Sequence, residues 1–447
     1  MTVTCTFCHA LHWEAESLTS STTHNFKFGM CCYQGKISLL PLENVPPELS
    51  NFLIGEILEE DIKKEFHKQI RNYNSALSMT SVGRKVDDTL NRAGGGPYSF
   101  RLHGELIHRA GSLLPERGNL PDSEEPAISP VYAQLYIHDS DVALAHRMNN
   151  RYNVLNHLNS ATMRTLQDML YRLHPSVQHY KQAYLLTRDM PPDQQCQIAL
   201  RFQANSDRRR YQNPDDSVSE IAVILPGDGD TPADCQDIIL HRNHGEPLWR
   251  IRDDHPLYPS LRYVLLFPTG QLGWHSKIPY RGAQDENEKY VSFAEYFRYR
   301  LHIHPTEIES NHLFLCGKLF QEFICESWAL AEQKCLYQLK FMQTKIRHEV
   351  YHGLVDAVNA NDNADMDQLG KKYILPSSFA GSTRNMQQHC QDALAINRHF
   401  GGGDLFITMT ANPKWPEISD NLLHGQSSSD RPDLVVRVFH AKLQSLI

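Results

Sequence analysis

Four of the chain's ten cysteines fall within its first 32 residues, as Cys5-x-x-Cys8 and the adjacent pair Cys31-Cys32. The segment they punctuate runs to about residue 45 and carries few large apolar side chains. A piece that small buries too little surface to offset the entropy of ordering it, so it needs a staple. Four thiolates or imidazoles around Zn²⁺ supply one, with tetrahedral geometry. The spacing is irregular, because a regular site would end in a second Cys-x-x-Cys and adjacent cysteines reach one ion only across a bent backbone. His9, His12 and His24 compete for the fourth position, and a loop with free cysteines is the alternative to any metal. The expectation is a structural zinc site on Cys5, Cys8, Cys31 and Cys32.

The other six cysteines (Cys196, Cys235, Cys316, Cys325, Cys335 and Cys390) are scattered. They read as buried apolar residues or free thiols in a reducing compartment. At 447 residues the chain is too long for one core, and its length fits roughly three units. A net charge of −8 excludes a uniformly basic nucleic-acid coat but not a local basic patch. No apolar run nears the roughly 20 residues of a membrane helix, and no signal-peptide pattern opens the chain. An intracellular protein is expected, nuclear in a eukaryotic host.

The pattern along the chain predicts a mixed α+β, multi-unit fold. A Cys-rich, zinc-finger-like module over 1–45 precedes a helix plus β-rich unit over 46–138, a mixed α/β region over 139–370 and a final unit over 371–447. One helix is expected from 49 to about 70, and helices over 139–190 and from 292 to about 359 with a break near Pro305. Strands are expected over 98–104, 131–137, 197–204, 219–225, 237–241 and 261–267.

Specific motifs come last in the chain. Ile374-Leu375-Pro376-Ser377-Ser378-Phe379 leads through Gly381-Ser382, Arg384-Asn385-Met386 and Gln391-Asp392-Ala393 to a run from Gly403 to Ile418, then Arg431-Pro432-Asp433-Leu434. Upstream stand Cys31 to Lys36, Ile70 to Asn74, Gly94 to Phe100, Gly111 to Pro115 and Leu225 to Gly229. In this order they resemble the helicase-like N-terminal domain of Helitron rolling-circle transposases. The resemblance implies a Rep-like endonuclease followed by an ATP-dependent helicase. It assigns the opening nuclease strand to Phe406, Thr408 and Thr410, with Asn412 and Pro413 after it. In the family a His-hydrophobic-His metal strand and nucleophilic tyrosines follow, so that a tyrosine oxygen attacks phosphorus while a metal polarises the phosphate.

Those parts are missing here. No His-x-His pair follows Thr410, and no Gly-x-x-x-x-Gly-Lys-Ser/Thr loop offers a phosphate cradle for ATP. His302-Ile303-His304 has the right spelling but precedes Thr408, closes an expected helix, and reads as a helix end. The chain is therefore expected to be C-terminally truncated, with no catalytic residues and only the first part of a Rep-like sheet after about Gly401.

For single-stranded or transposon-end DNA, the candidates are Arg71, Tyr73, Arg84, Lys85, Tyr98, Arg101 and Lys414. Aromatic rings stack on bases while cations meet phosphates. Strand packing and solvated charge explain the same residues. The leading expectation is a DNA-binding transposase fragment without catalysis. Its rivals are a zinc-dependent DNA-binding or protein-interaction adaptor derived from a transposon, and a nuclease completed by another chain.

Overall fold

The computed structural model describes residues 1–22, 25–55, 57–82, 108–109, 132–149, 158–188, 197–201, 220–224, 237–241, 250–251, 255–282, 290–305, 311–343, 375–402, 407–423 and 425–446. They form a mixed α+β protein, mostly helical, in two compact units: residues 1–327 with 412–447, and residues 328–411. No described helix is long and apolar enough to cross a membrane.

In the larger unit, β1 (Val3–Thr4) and β2 (Leu11–His12) pair antiparallel, Val3 opposite His12. Helices α1 (Pro47–Leu53) and α2 (Glu60–Leu77) follow. The single helix expected over 49–70 is thus two. α2 buries Phe66, Ile70, Tyr73 and Leu77, a stripe at helical spacing. β3 (Ser81–Val82) and β4 (His108–Arg109) come next, then α3 (Ser140–Asn149), α4 (Ser160–Leu173) and α5 (Pro175–Arg188). Asn159 caps α4 by accepting from the backbone N–H of Ala161 and Thr162. β5 (Gln197–Arg201), β6 (Glu220–Ile224) and β7 (Asp237–His241) make an antiparallel sheet with β5 central. β8 (Arg250–Ile251) completes a second three-stranded sheet in the order β3-β4-β8.

Two expected strands are not strands. Residues 132–136 form a 3₁₀ helix with Tyr136 buried. The apolar run over 261–267 begins as the end of α6 (Tyr258–Arg262) and continues in turns, with Leu266 N–H donating to Tyr263 O at 2.9 Å. Its backbone is satisfied without a sheet partner. Asn74 accepts from Leu265 N and donates to Arg262 O, Met79 N donates to Leu261 O, and the His312 ring lies 2.7 Å from Leu266 O. A short buried apolar run does not by itself distinguish strand from turn. Gly270 ends it with φ +76°, where an added Cβ would stand 2.7 Å from the Pro175 ring.

α7 (Phe293–Arg300), capped by Ser292 with Glu295 reaching back, leads to α8 (Gly317–Phe341). Glu326 on α8 is buried and accepts from the hydroxyls of Tyr258 and Tyr263. Burial pushes its carboxyl above the usual range. The main core joins α1 to α6 with residues 311–323.

α9 (Thr383–Phe400) belongs to the smaller unit, and α10 (Pro416–Ser419) and α11 (Pro432–Leu446) to the larger one. Of the nuclease strand expected at Phe406, Thr408 and Thr410, residues 407–410 are in no strand, and Phe406 lies outside the described residues. No described strand lies beside them, and an extended segment without a ladder partner has nothing to hold it as sheet.

Candidate metal centre

The N-terminal cysteines converge through two turns. In the first, His9 N donates to Cys5 O at 2.9 Å and Cys5 N to Ala10 O at 2.9 Å, with His9 at φ 60°. In the second, Tyr33 and Gln34 take φ 49° and 54° and Gly35 takes 86°. Three non-glycine residues in the left-handed region mark a backbone bent hard around the cluster. That bend lets adjacent Cys31 and Cys32 face the same point. Gly35 is required: a Cβ there would meet the Phe7 ring at 2.7 Å.

The ligand atoms of Cys5, Cys8, Cys31 and Cys32 all lie within 4.8 Å of one another. Cys5 Sγ is 3.7 Å from Cys32 Sγ, and Cys31 Sγ is 3.9 Å from Cys32 Sγ. Four thiolates on one zinc ion at about 2.3 Å stand about 3.8 Å apart, the edge of that tetrahedron. Gly35 N–H donates to Cys32 Sγ at 3.2 Å, a contact that steadies a thiolate. Cys5, Cys31 and Cys32 are buried and Cys8 is half-buried. The crowded thiols oppose one another's titration: hydrogen bonding from Cys31 holds Cys5 far below the thiol range, while Cys31 is pushed far up, first by Cys32. The donor set fits a metal ion.

The cluster is seated, not appended. Cys5, Cys31 and Cys32 share a core with Phe28, Ile37 and Leu39 on their own segment, with Val291 just ahead of α7 and with Tyr296 and Tyr299 on it. Leu11 N donates to Ile303 O at 2.8 Å, His304 Nδ1 lies 3.0 Å from Cys8 O, and Arg300 donates to Leu40 O at 2.7 Å. His302 and His304 are thus a helix end that holds the cysteine turns, with His304 stacked on Tyr299 at 4.6 Å. Burial lowers the His302 ring to about 3. Arg437 on α11 reaches Glu16 through Nε at 2.7 Å and through a second nitrogen at 2.7 Å, and also donates to Leu11 O at 2.9 Å. Burial alone would raise Glu16, but Arg437 and then His12 outweigh it and hold the carboxyl well below the usual range.

Residues 296–447 match the family model described as the Helitron helicase-like domain at N-terminus. The chain carries a Helitron-like domain. Among curated proteins no match is found. The Helitron-like segment begins inside α7, on the wall that receives the cysteine turns, so residue 45 is not a boundary of the packing.

Of the residues expected at DNA, Arg71 is exposed on α2, but Tyr73 is 0% exposed. Its hydroxyl donates to Glu65 at 2.9 Å and accepts from Asn159 N at 2.9 Å. A ring so enclosed offers no face to a base, which corrects its reading as a stacking residue. Arg84, Lys85, Tyr98 and Arg101 lie outside the described residues. In the Helitron-like segment, Thr408 and Thr410 are exposed. Asn412 turns the chain by accepting from Lys414 N at 3.0 Å, with Pro413 exposed within that turn and Lys414 exposed beyond it. Trp415 is half-buried beneath Lys442, whose ammonium lies 5.2 Å from the ring centre. The residues that sequence reasoning missed are Gly35, Glu16 and Arg437, together with exposed Phe7 and Tyr33 at the tips of the two cysteine turns. Lys36 stands 4.8 Å over the Tyr33 ring.

Proposed function

We propose that this is a DNA-binding protein of Helitron descent, with a structural zinc ion held by Cys5, Cys8, Cys31 and Cys32. The observation that carries the reading is the sulfur cluster, its four atoms within 4.8 Å of one another and two of its separations close to a tetrahedral edge, seated against a Helitron-like segment. An all-thiolate tetrahedral set favours zinc over harder cations. When bound, the ion cross-links turns that have little core of their own. DNA contact is assigned to exposed Phe7, Tyr33 and Lys36, with Arg71 and Lys414 as further cations. Two rings and a cation on one small module suit single strands, whose bases stack and whose phosphates need charge. Strand cleavage is not assigned to these 447 residues, which lack the His-x-His pair after Thr410 and the ATP loop.

The test is a metal assay paired with binding to a labelled single-stranded oligonucleotide. One zinc per chain is expected, with binding that weakens as salt rises and falls about tenfold in Y33A. A chain without zinc overturns the metal assignment, and salt-insensitive or absent binding overturns the DNA assignment. A second reading, a protein-interaction adaptor, draws on α9, whose Met386, Leu394 and Phe400 are exposed. It predicts zinc without DNA affinity.

A further inference from the structure

The cysteine turns and the last helix of the chain meet through one peptide. Leu11 donates its N–H to Ile303 O at 2.8 Å and accepts at its carbonyl from Arg437 at 2.9 Å. Its position follows from the turn closed by Cys5 N and Ala10 O, the turn that brings Cys5 and Cys8 to the cluster. Two residues beyond Leu11, the Trp13 ring lies under the Arg437 guanidinium at 5.0 Å. Three further on, Glu16 takes the same guanidinium with both oxygens while also accepting from Trp13 N at 3.1 Å. Arg437 therefore grips three points of a segment whose shape is set by the sulfur cluster.

Leu434 and Val438 are the buried apolar residues of α11. Its first turn is pinned separately: Arg431 pairs with Asp433 at 2.8 Å and covers the Phe314 ring at 4.5 Å. Gln426, ahead of the helix, donates to Phe314 O at 2.6 Å. The second half of α11 is held by buried Val438, by half-buried Phe439 and Leu443, by Lys442 pairing with Glu417 at 2.7 Å, and by Arg437, its one hydrogen-bonded link to the cysteine turns among the described residues.

We propose that the four-sulfur site is a metal-operated latch on α11: with zinc bound, the Leu11–Glu16 segment is held in the shape that grips Arg437, and without it residues 437–446 come loose while residues 426–434 stay docked. The proposal rests on the zinc reading above and goes beyond it, because a merely local staple would leave a helix more than 400 residues away in sequence unaffected. It makes metal occupancy a control over α11, within the Helitron-like segment.

The experiment is amide hydrogen exchange on the full chain, followed by mass spectrometry, with zinc bound, after stripping by a high-affinity chelator, and after adding Zn²⁺ back. Exchange over 437–446 is expected to speed at least tenfold on stripping and to recover with the metal, while α4 keeps its protection. Unchanged exchange there after measured loss of zinc overturns the latch and leaves the zinc reading standing. Loss of protection in α4 at the same time overturns it as a local device. A chain that neither carries nor takes up zinc overturns the zinc reading and the latch together. The variant R437Q, whose substitution is far from the sulfurs, is expected to keep one zinc per chain yet exchange fast over 437–446. Native protection in R437Q overturns the proposal.

Discussion

The family-matched segment is not of one kind along its length. Its two ends, residues 296–327 and 412–447, belong to the larger unit, and there α7, α8 and α11 bury side chains such as Tyr296, Phe320 and Leu434. Its middle belongs to the smaller unit, where α9 runs eighteen residues from a Ser382 cap to a left-handed Gly401 with no buried residue. Both parts have sound local helix signals. They differ in what surrounds them. The ends are ordered partly by the N-terminal cysteine turns, which lie outside the match, whereas capping and periodicity sustain α9 among the described residues. A family boundary drawn on sequence is thus not a boundary of folding.

The contrast can be broken most forcefully at the proposed zinc site. Zinc contributes about 10–16 kcal/mol of apparent free energy in isolated fingers. C31S is therefore expected to cost more than about 3 kcal/mol in denaturant unfolding, with chelation of the native protein having the same effect. An unchanged midpoint would detach the ends of the Helitron-like segment from the cysteine turns. Next comes a matched pair of leucines, Leu434 at 0% and Leu394 at 43% exposure. L434A is expected to cost about 2–5 kcal/mol and L394A to stay within about 0.5 kcal/mol. Equal costs would mean that α9 is as well packed as α11.

A smaller effect is expected on α8. E326A leaves the Tyr258 and Tyr263 hydroxyls buried without their shared acceptor, at about 1–3 kcal/mol, while E326Q retains an acceptor and costs less. Thermal unfolding of the two variants distinguishes them. The finest test is pH. Burial lowers the rings of His302 to about 3 and His174 to about 4, so the folded state keeps them neutral where the unfolded chain protonates them near 6.5. Their contribution is fully present above pH 6.5 and is lost as pH falls towards 4 and then 3. The slope is up to about 1.4 kcal/mol per pH unit for each. H302Q should flatten the stability profile by about one proton between pH 6 and 4, and an unchanged slope would show that His302 is open to solvent.

Much of this was legible where the signal is local. The strands over 197–201, 220–224 and 237–241 were expected nearly at their limits, since short β-rich runs between turn residues have one reading. The sulfur cluster was legible because ligand chemistry restricts the residue types that can hold an ion, and the bend at Tyr33 and Gln34 removes the objection to adjacent cysteines. The run over 261–267 misled because apolar content alone is common to strands and buried turns, and the side chains that satisfy its backbone, Asn74 and His312, come from elsewhere in the chain. Tyr73 could have been placed correctly: Phe66, Ile70 and Leu77 at helical spacing already put it on the buried face of α2. Nothing near Glu16 or Arg437 announces their pairing.

That pairing has a consequence for how the molecule is made. Glu16 and Arg437 are separated by 421 residues, so on a ribosome adding about 5–20 residues per second the first waits roughly 20–80 s for the second. For the first part of that interval the face that receives Val291, Tyr296 and Tyr299 is bare, and for all of it Glu16 lacks Arg437. A contact of such long sequence separation forms late and slowly. The cysteine turns are thus completed in two steps: Phe28, Ile37 and Leu39 gain their cover when Val291, Tyr296 and Tyr299 arrive, and Glu16 gains its cation only with Arg437.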